Sequence, residues 1–259
     1  MCVESSPVPP LESPHSKKIF HSESEELKST LARSTLEQAE AATSSHLVRM
    51  IDFFFALVLG QGILRFDEVI QAPLDANLQV WIALVAIYYT VVRSFVAWHA
   101  AIETRRYKIG GDERTTELWR VYIDVLIVAV YAFMLFSAEP LIATPGADIR
   151  GLFWAFPLLF LLYGAWGYFR RIAWGPDEFM LPMLVLFFVL YVAVALAYTT
   201  AMPGMSSCDS ELVNLIALGV VLALMGLYRY INFWQGDNGR ARWFGMLPRP
   251  QLPKLRPKQ

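Results

Sequence analysis

The chain has 259 residues, of which 56% are hydrophobic and 17% charged, and its formal net charge is −1. Soluble domains carry roughly 45–50% apolar and about 25% charged residues, so this balance excludes an ordinary soluble globule. The near-neutral charge offers no basic field for nucleic acid, and two cysteines, Cys2 and Cys208, cannot build a disulfide framework or a cysteine metal site. The apolar residues fall in blocks close to the roughly 20 needed to span hydrocarbon. The expected fold is therefore all-α: a polytopic membrane protein, a six-transmembrane-helix bundle in the lipid bilayer.

Residues 1–45 read as a tail. Its first part, to about residue 23, is polar and rich in Pro and Ser, with too little apolar surface to order itself. From about residue 24, Leu27, Leu31 and Leu36 recur near helical spacing among charged residues, the pattern of an amphipathic helix. No secretory signal or lipidation motif is expected, because the first apolar block begins near His46 and Cys2 follows Met1.

The transmembrane domain, 46–234, divides into spans near 47–65, 77–99, 118–138, 151–169, 178–202 and 211–231. The fourth has no charge between Arg150 and Arg170, and the fifth none between Glu178 and Asp209. The polar connection 100–117 contains the turn signal Gly110-Gly111-Asp112. Gly175-Pro176-Asp177-Glu178 predicts a helix start, and Pro182, one turn further, a kink. The remainder, 235–259, is a basic Pro-rich tail suited to anionic headgroups.

Charge sets the expected orientation. Eighteen of the 22 basic residues fall in the two terminal segments, with Arg49 and Arg229 at the adjoining span ends counted among them, and in the connections after the second and fourth spans. Only Arg65 and Arg150 fall on the opposite side, with Arg93 and Arg120 inside spans. Loops rich in Lys and Arg stay cytoplasmic, so both termini are expected in the cytoplasm and the protein in a cell membrane, plasma or bacterial inner. Trp81, Trp119, Trp166, Trp174 and Trp234 lie near span ends, as in an aromatic belt. The outer loops carry seven acids, Asp67, Glu68, Asp75, Glu139, Asp148, Asp209 and Glu211, which favours cations at that mouth.

Six ionisable residues lie within or at the edge of the first three spans: Arg49, Asp52, Arg93, His99, Arg120 and Asp124. Helix rise places all six in the cytoplasmic half. A charge at the centre of a lipid-exposed helix costs roughly 2.5–3.5 kcal/mol, so these groups must face inward and pair, with Arg93 expected against Asp52 or Asp124. An ion-pair lock between helices and a network lining a pathway both fit. Tyr88, Tyr89, Thr90 and Ser94 add polarity to the second span. Gln61 between Gly60 and Gly62 marks close packing or a pore-facing amide, and Asn214 an interhelical hydrogen bond. No metal, nucleotide or nucleophile motif occurs, so no cofactor and no enzyme activity are expected.

Arg49 and Phe53 in the first span, Ser94-Phe95 and Trp98-His99 in the second, and Leu118-Trp119 with the following Pro140 form a pattern. It resembles the six-helix-repeat potassium channels of bacteria and endolysosomes, marked by Arg-x-x-x-Phe-Ser-Asp in the first helix. Here Phe54 and Phe55 stand where that motif has Ser and Asp, and Ala101 where the family has His. The resemblance implies a homo-oligomer, a dimer in the simplest case, with the first helix around a hydrophobically constricted pore for monovalent cations. Leu57, Leu59 and Ile63 are then the candidate pore-lining residues. Leu57 and Leu59 lie on different helix faces, so at most one lines an axial pore. A channel or channel-like permease is thus the leading expectation, with a secondary transporter and a non-transporting scaffold as alternatives.

The charge division yields a direct test. In an otherwise cysteine-free chain, Ala143→Cys should label with an impermeant thiol reagent in intact cells, and Gly110→Cys only after permeabilisation. Labelling of the Gly110 position in intact cells would reverse the orientation.

Overall fold

The computed structural model describes residues 14–73, 77–104, 107, 114–174 and 181–235. Eight helices are found among them: α1 (Pro14–Arg65), α2 (Asp67–Gln71), α3 (Leu78–Thr104), α4 (Arg114–Ala138), α5 (Pro140–Ala143), α6 (Arg150–Trp174), α7 (Leu181–Ala201) and α8 (Ser207–Gln235). Six are long and apolar enough to cross a membrane: α1 from Gln38, α3, α4 continued by α5, α6, α7 and α8. The chain is a multi-pass membrane protein. Helices suit this setting because every interior backbone group is bonded within its own segment, where lipid offers no partner.

α1 differs from the expected tail-then-helix division. It runs unbroken for 52 residues from Pro14, about 78 Å at 1.5 Å per residue. No Gly or Pro lies between Pro14 and Gly60, so no helix-breaking residue interrupts the helix within the polar stretch. Pro182 is the second described residue of α7, and the residues before it lie outside the described ones. Pro157 lies inside a span, buried in α6, which continues through it. The expected start at 175–178 and, past Gln235 at the end of α8, the rest of the tail 235–259 lie outside the described residues.

Side-chain contacts fix the course of the chain. Phe55 meets Phe95 of α3 and Tyr131 of α4, with ring centroids 5.1 and 5.9 Å apart. Arg65 pairs with Glu139 further along both helices, about 15 Å from Phe55 along α1. α1 and α4 therefore run parallel, and α3 runs against both. Tyr131 meets Tyr163 of α6, and Phe153 and Phe160 of α6 meet Tyr198 and Tyr191 of α7. α8 returns beside α3, where Thr90 Oγ1 lies 3.8 Å from Met225 Sδ. Helices α3, α4, α6, α7 and α8 thus close a ring in the order α3–α4–α6–α7–α8, and α1 leans on the outside of α3 and α4. Both ends of the described chain lie at one end of this bundle, called here the terminal end; the other is the distal end.

The core lies along the contacts of α4 with α6 and of α6 with α7, where Leu152, Phe156, Leu159, Phe187 and Met134 are fully buried. Outward faces are apolar, with Leu126, Phe133, Leu161, Val185, Leu196 and Ile216 exposed where a bilayer would meet them. Small residues set the closest approaches, as expected where apolar burial alone gives helices little reason to associate. A Cβ on Gly151 would stand 2.6 Å from Ser137 Oγ of α4, and one on Gly62 2.4 Å from Tyr88 Oη and 3.2 Å from Leu135 Cδ1. The packing expected of the Gly60–Gly62 stretch is thus found at Gly62; a Cβ on Gly60 meets nothing within 4 Å.

The turns follow their residues. Gly204, at φ 82°, lets the chain reverse after α7 in a left-handed conformation that other residues adopt at a cost. Ser206 then opens α8: its Oγ accepts from the Asp209 N–H and donates to Asp209 Oδ2.

Gly62→Leu should therefore separate α1 from α3 and α4, lowering the thermal midpoint of the purified protein. Gly60→Leu should leave it within a degree or two. Equal midpoints for the two variants would show that α1 does not pack as described.

Candidate functional site

The polar groups of the spans collect at the terminal end of α3, α4 and α6, with a second set at the distal end. At the terminal end α4 opens with Glu117, Arg120 and Asp124, spaced three and four residues apart, so successive turns stack them on one face. That face points inward: Glu117 is 0%, Arg120 1% and Asp124 3% exposed. Arg120 Nη1 donates to both Glu117 carboxylate oxygens, at 2.9 and 2.8 Å. The guanidinium carbon lies 5.4 Å from the Tyr107 ring centroid and 5.5 Å from that of Trp166, within range of two cation–π contacts.

Tyr107, in the connection between α3 and α4, supplies the second element. Its hydroxyl donates to Asp124 Oδ2 at 2.5 Å and accepts from Trp98 Nε1 of α3 at 3.3 Å. Burial first, and the neighbouring Asp124 carboxylate next, push the Tyr107 phenol well above its usual range, so it keeps its proton and remains a donor. Tyr107 is thereby tied to both α3 and α4. Trp166 is turned toward Arg120 instead of serving a belt at the lipid interface, while Trp119 is half exposed.

The six ionisable residues expected to form one network occupy three places instead. Arg120 and Asp124 share the cluster just described, but Arg120 bonds Glu117. Asp52 of α1 faces His99 of α3, Oδ1 to Nδ1 3.7 Å, and His99 Nε2 lies 3.5 Å from Glu103; Asp52 and His99 are partly buried and Glu103 is exposed. Arg93 points elsewhere on α3, within electrostatic reach of Arg229 and Tyr228 of α8 and Tyr163 of α6. The expected pairing of Arg93 with Asp52 or Asp124 is therefore corrected: Asp52 takes His99, and Asp124 takes Tyr107. Arg49 is exposed on α1. The reason is angular. Arg93 and His99 are six residues apart, which puts them on different sides of α3.

Glu117 and Tyr107 were missed because they fell in the stretch 100–117, taken as connection. The signal that could have found Glu117 is its spacing of three from Arg120. Phe54 and Phe55 of α1 are packed: Phe55 is 2% exposed among Phe95, Trp98 and Tyr131, and Phe54 rests against the core.

Of the candidate pore-lining residues, Leu57 and Ile63 are exposed on the outer side of α1, and Leu59 is turned partly into the bundle. At the distal end Arg65 pairs with Glu139 and stands 3.8 Å over the Phe136 ring. Asn214 makes the interhelical bonds expected of it. It accepts from Tyr198 Oη at 2.7 Å and donates to Gln79 Oε1 at 3.2 Å and the Ala147 carbonyl at 3.0 Å. It so joins α3, α7, α8 and the loop before α6. No group of three or more His, Cys, Asp or Glu among the described residues is placed to hold a metal ion. No family model, no curated protein and no solved structure matches this chain.

The burial of Glu117 and Arg120 predicts an asymmetric response to mutation. Arg120→Ala should destabilise the protein by about 3–5 kcal/mol, because the Glu117 carboxylate is left uncompensated in low dielectric. Arg120→Met combined with Glu117→Leu should recover most of the loss in unfolding measurements in detergent. A single substitution without effect would place the pair in water.

Proposed function

We propose that the chain is one subunit of an oligomeric, channel-like membrane protein in which α1 faces the axis between subunits and monovalent cations pass along it. One observation carries the reading: the apolar part of α1 is the least covered of the six spans, with 22% of it buried against 56% for α4. Its uncovered stripe runs through Arg49, Phe53, Leu57 and Leu64, with the Gln61 amide at its edge. An amide turned toward hydrocarbon is costly, and a neighbouring subunit or a water-filled axis removes that cost. Leu57 lies at the centre of the stripe and Ile63 on its flank, so a ring of Leu57 side chains would form an apolar constriction of the kind that gates by dewetting. The stripe ends at Asp67 and Glu68 of α2, both exposed, which would set an acidic ring at the distal mouth and raise the local cation concentration.

The buried Glu117, Arg120 and Asp124 favour a second reading, a secondary transporter, because ionisable groups inside a membrane domain commonly mark a substrate or proton path. That reading places transport inside each subunit and assigns no role to the α1 stripe.

Potassium and sodium flux from liposomes containing the parent, Leu57→Ser, Leu59→Ser and Ile63→Ser separates these. Leu57→Ser should wet the constriction and raise flux at least several-fold, with a smaller rise for Ile63→Ser. Leu59→Ser should lower stability without raising flux. Silence of all four while folded and oligomeric removes the channel reading.

A further inference from the structure

Where α1 meets α3, an imidazole stands between two carboxyl groups that neither the Arg120 pair nor the outer stripe of α1 uses. His99 Nδ1 is 3.7 Å from Asp52 Oδ1 on α1, and His99 Nε2 is 3.5 Å from Glu103 Oε1, one turn on along α3. Both ring nitrogens thus face a carboxylate oxygen. Asp52 Oδ1 and His99 Nδ1 are shut off from the surface, and neither has a hydrogen-bond partner. These two atoms face one another across the boundary between the helices.

Histidine chemistry makes this arrangement depend on one proton. A neutral imidazole carries a single N–H, so one of its nitrogens offers a lone pair. With the N–H toward Glu103, the lone pair of Nδ1 meets Asp52 Oδ1, acceptor against acceptor. With the N–H toward Asp52, Nε2 meets Glu103 in the same way. Either tautomer leaves one contact repulsive. The doubly protonated ring donates on both sides and carries a positive charge between two negative ones. Uptake of one proton therefore replaces one attractive and one repulsive contact by two attractive ones.

The surroundings direct this effect onto α1. The rings of Phe95 and Trp98 flank His99, with centroids 5.7 and 6.1 Å away. The same two rings receive Phe55 of α1, at 5.1 and 5.9 Å. The aromatic contacts that dock α1 and the groups that take up the proton form one patch. Other titratable groups near it are engaged or turned away. Asp124 of α4 accepts from Tyr107, which in turn accepts from the Trp98 N–H. Arg49, one turn before Asp52, is exposed, and Arg93 leaves α3 on another side. His99 is only partly buried and lies four residues from the end of its span, at Glu103, so water at the terminal end supplies the proton.

We propose that His99 is a proton-binding site that controls how firmly α1 is held to α3. With a proton on each nitrogen, the imidazolium spans Asp52 and Glu103 and ties the two helices. When one proton returns to water, one nitrogen ceases to donate, and at this point α1 keeps only its apolar contacts. Imidazole is the side chain suited to change charge between about pH 5 and 8, so the tie is closed toward the acid end of that window and open toward its alkaline end. The site concerns the attachment of α1 and stands whether or not cations pass along that helix.

The test uses the full chain, purified in an uncharged detergent, with thermal midpoints read at about pH 6 and about pH 8, inside and at the upper end of the imidazole window. His99→Gln, which keeps a donor of similar size but has no proton to titrate, should lower the midpoint by a few degrees at the lower pH and by less than half as much at the higher. Asp52→Asn should do the same. At the lower pH the double variant should lose little beyond either single one, because both remove one contact. His46→Gln, at an exposed histidine of α1, should match the parent at both pH values. A merely structural role for His99 would lower the midpoint equally at both. The proposal is overturned if His99→Gln shows no loss, or a loss as large at the higher pH as at the lower, or if the two single losses add. Should His99→Gln fail to fold, Asp52→Asn decides by the same comparison of losses at the two pH values.

Discussion

A guanidinium shut away from water must be neutralised within the protein, and at Arg120 that requirement organises the terminal end of the bundle. Its carboxylate partner, Glu117, comes from the preceding turn of the same helix, so the ion pair forms as soon as α4 does. The pair is then roofed by the rings of Tyr107 and Trp166, which belong to other parts of the chain. The Tyr107 hydroxyl also serves Asp124. One local charge pair thereby gives three separate segments a reason to meet. Buried ion pairs often add little net stability, but breaking one is costly, and this makes the arrangement selective for a single register of α4 against α6.

The distal end uses neutral groups for the same purpose. Tyr198 donates a hydrogen bond to Asn214, and Gln79, Ala147 and Ile149 complete the set, so four segments close without a buried charge. Between the two ends the ring is held by aromatic contacts and by Gly62 and Gly151, whose missing side chains admit Tyr88 and Ser137. α1 takes part in only some of this. Its inward residues, Ile51, Phe55, Val58 and Gly62, dock on α3 and α4, while its opposite face stays open. A helix anchored on one side only suits assembly with further copies, and Asp67 and Glu68 follow directly at its distal end.

The spans, the fold class and the membrane environment could be read directly from the chain. Long uncharged runs such as 151–169 admit no other stable state, because a polar backbone in lipid must bond to itself. Gly62 as a packing site and Asn214 as an interhelical bond were legible for a similar reason: each residue type has few uses inside a membrane. The pairing of the charges was not legible. Arg93, His99, Arg120 and Asp52 are all required to find partners, but composition and depth leave the choice open. It is decided by the angle at which each side chain leaves its helix and by which helix lies in that direction.

The sequence by itself determined how many times the chain crosses the bilayer and which residues could not be left facing lipid, since both follow from transfer free energies that act residue by residue. Only the tertiary structure decided that α6 is central and α1 peripheral. It alone paired Glu117 with Arg120 and gave Tyr107 to Asp124, and it alone gathered Tyr163, Tyr191 and Tyr228 around the Phe160 ring. Tyr191 shows the difference. In the sequence it is one polar atom in an apolar span, of no evident use, and its surroundings come from residues 28 and 37 positions away, on α6 and α8. Contacts of that range depend on the order in which helices close the ring, and that order is set by the packing of whole helix faces.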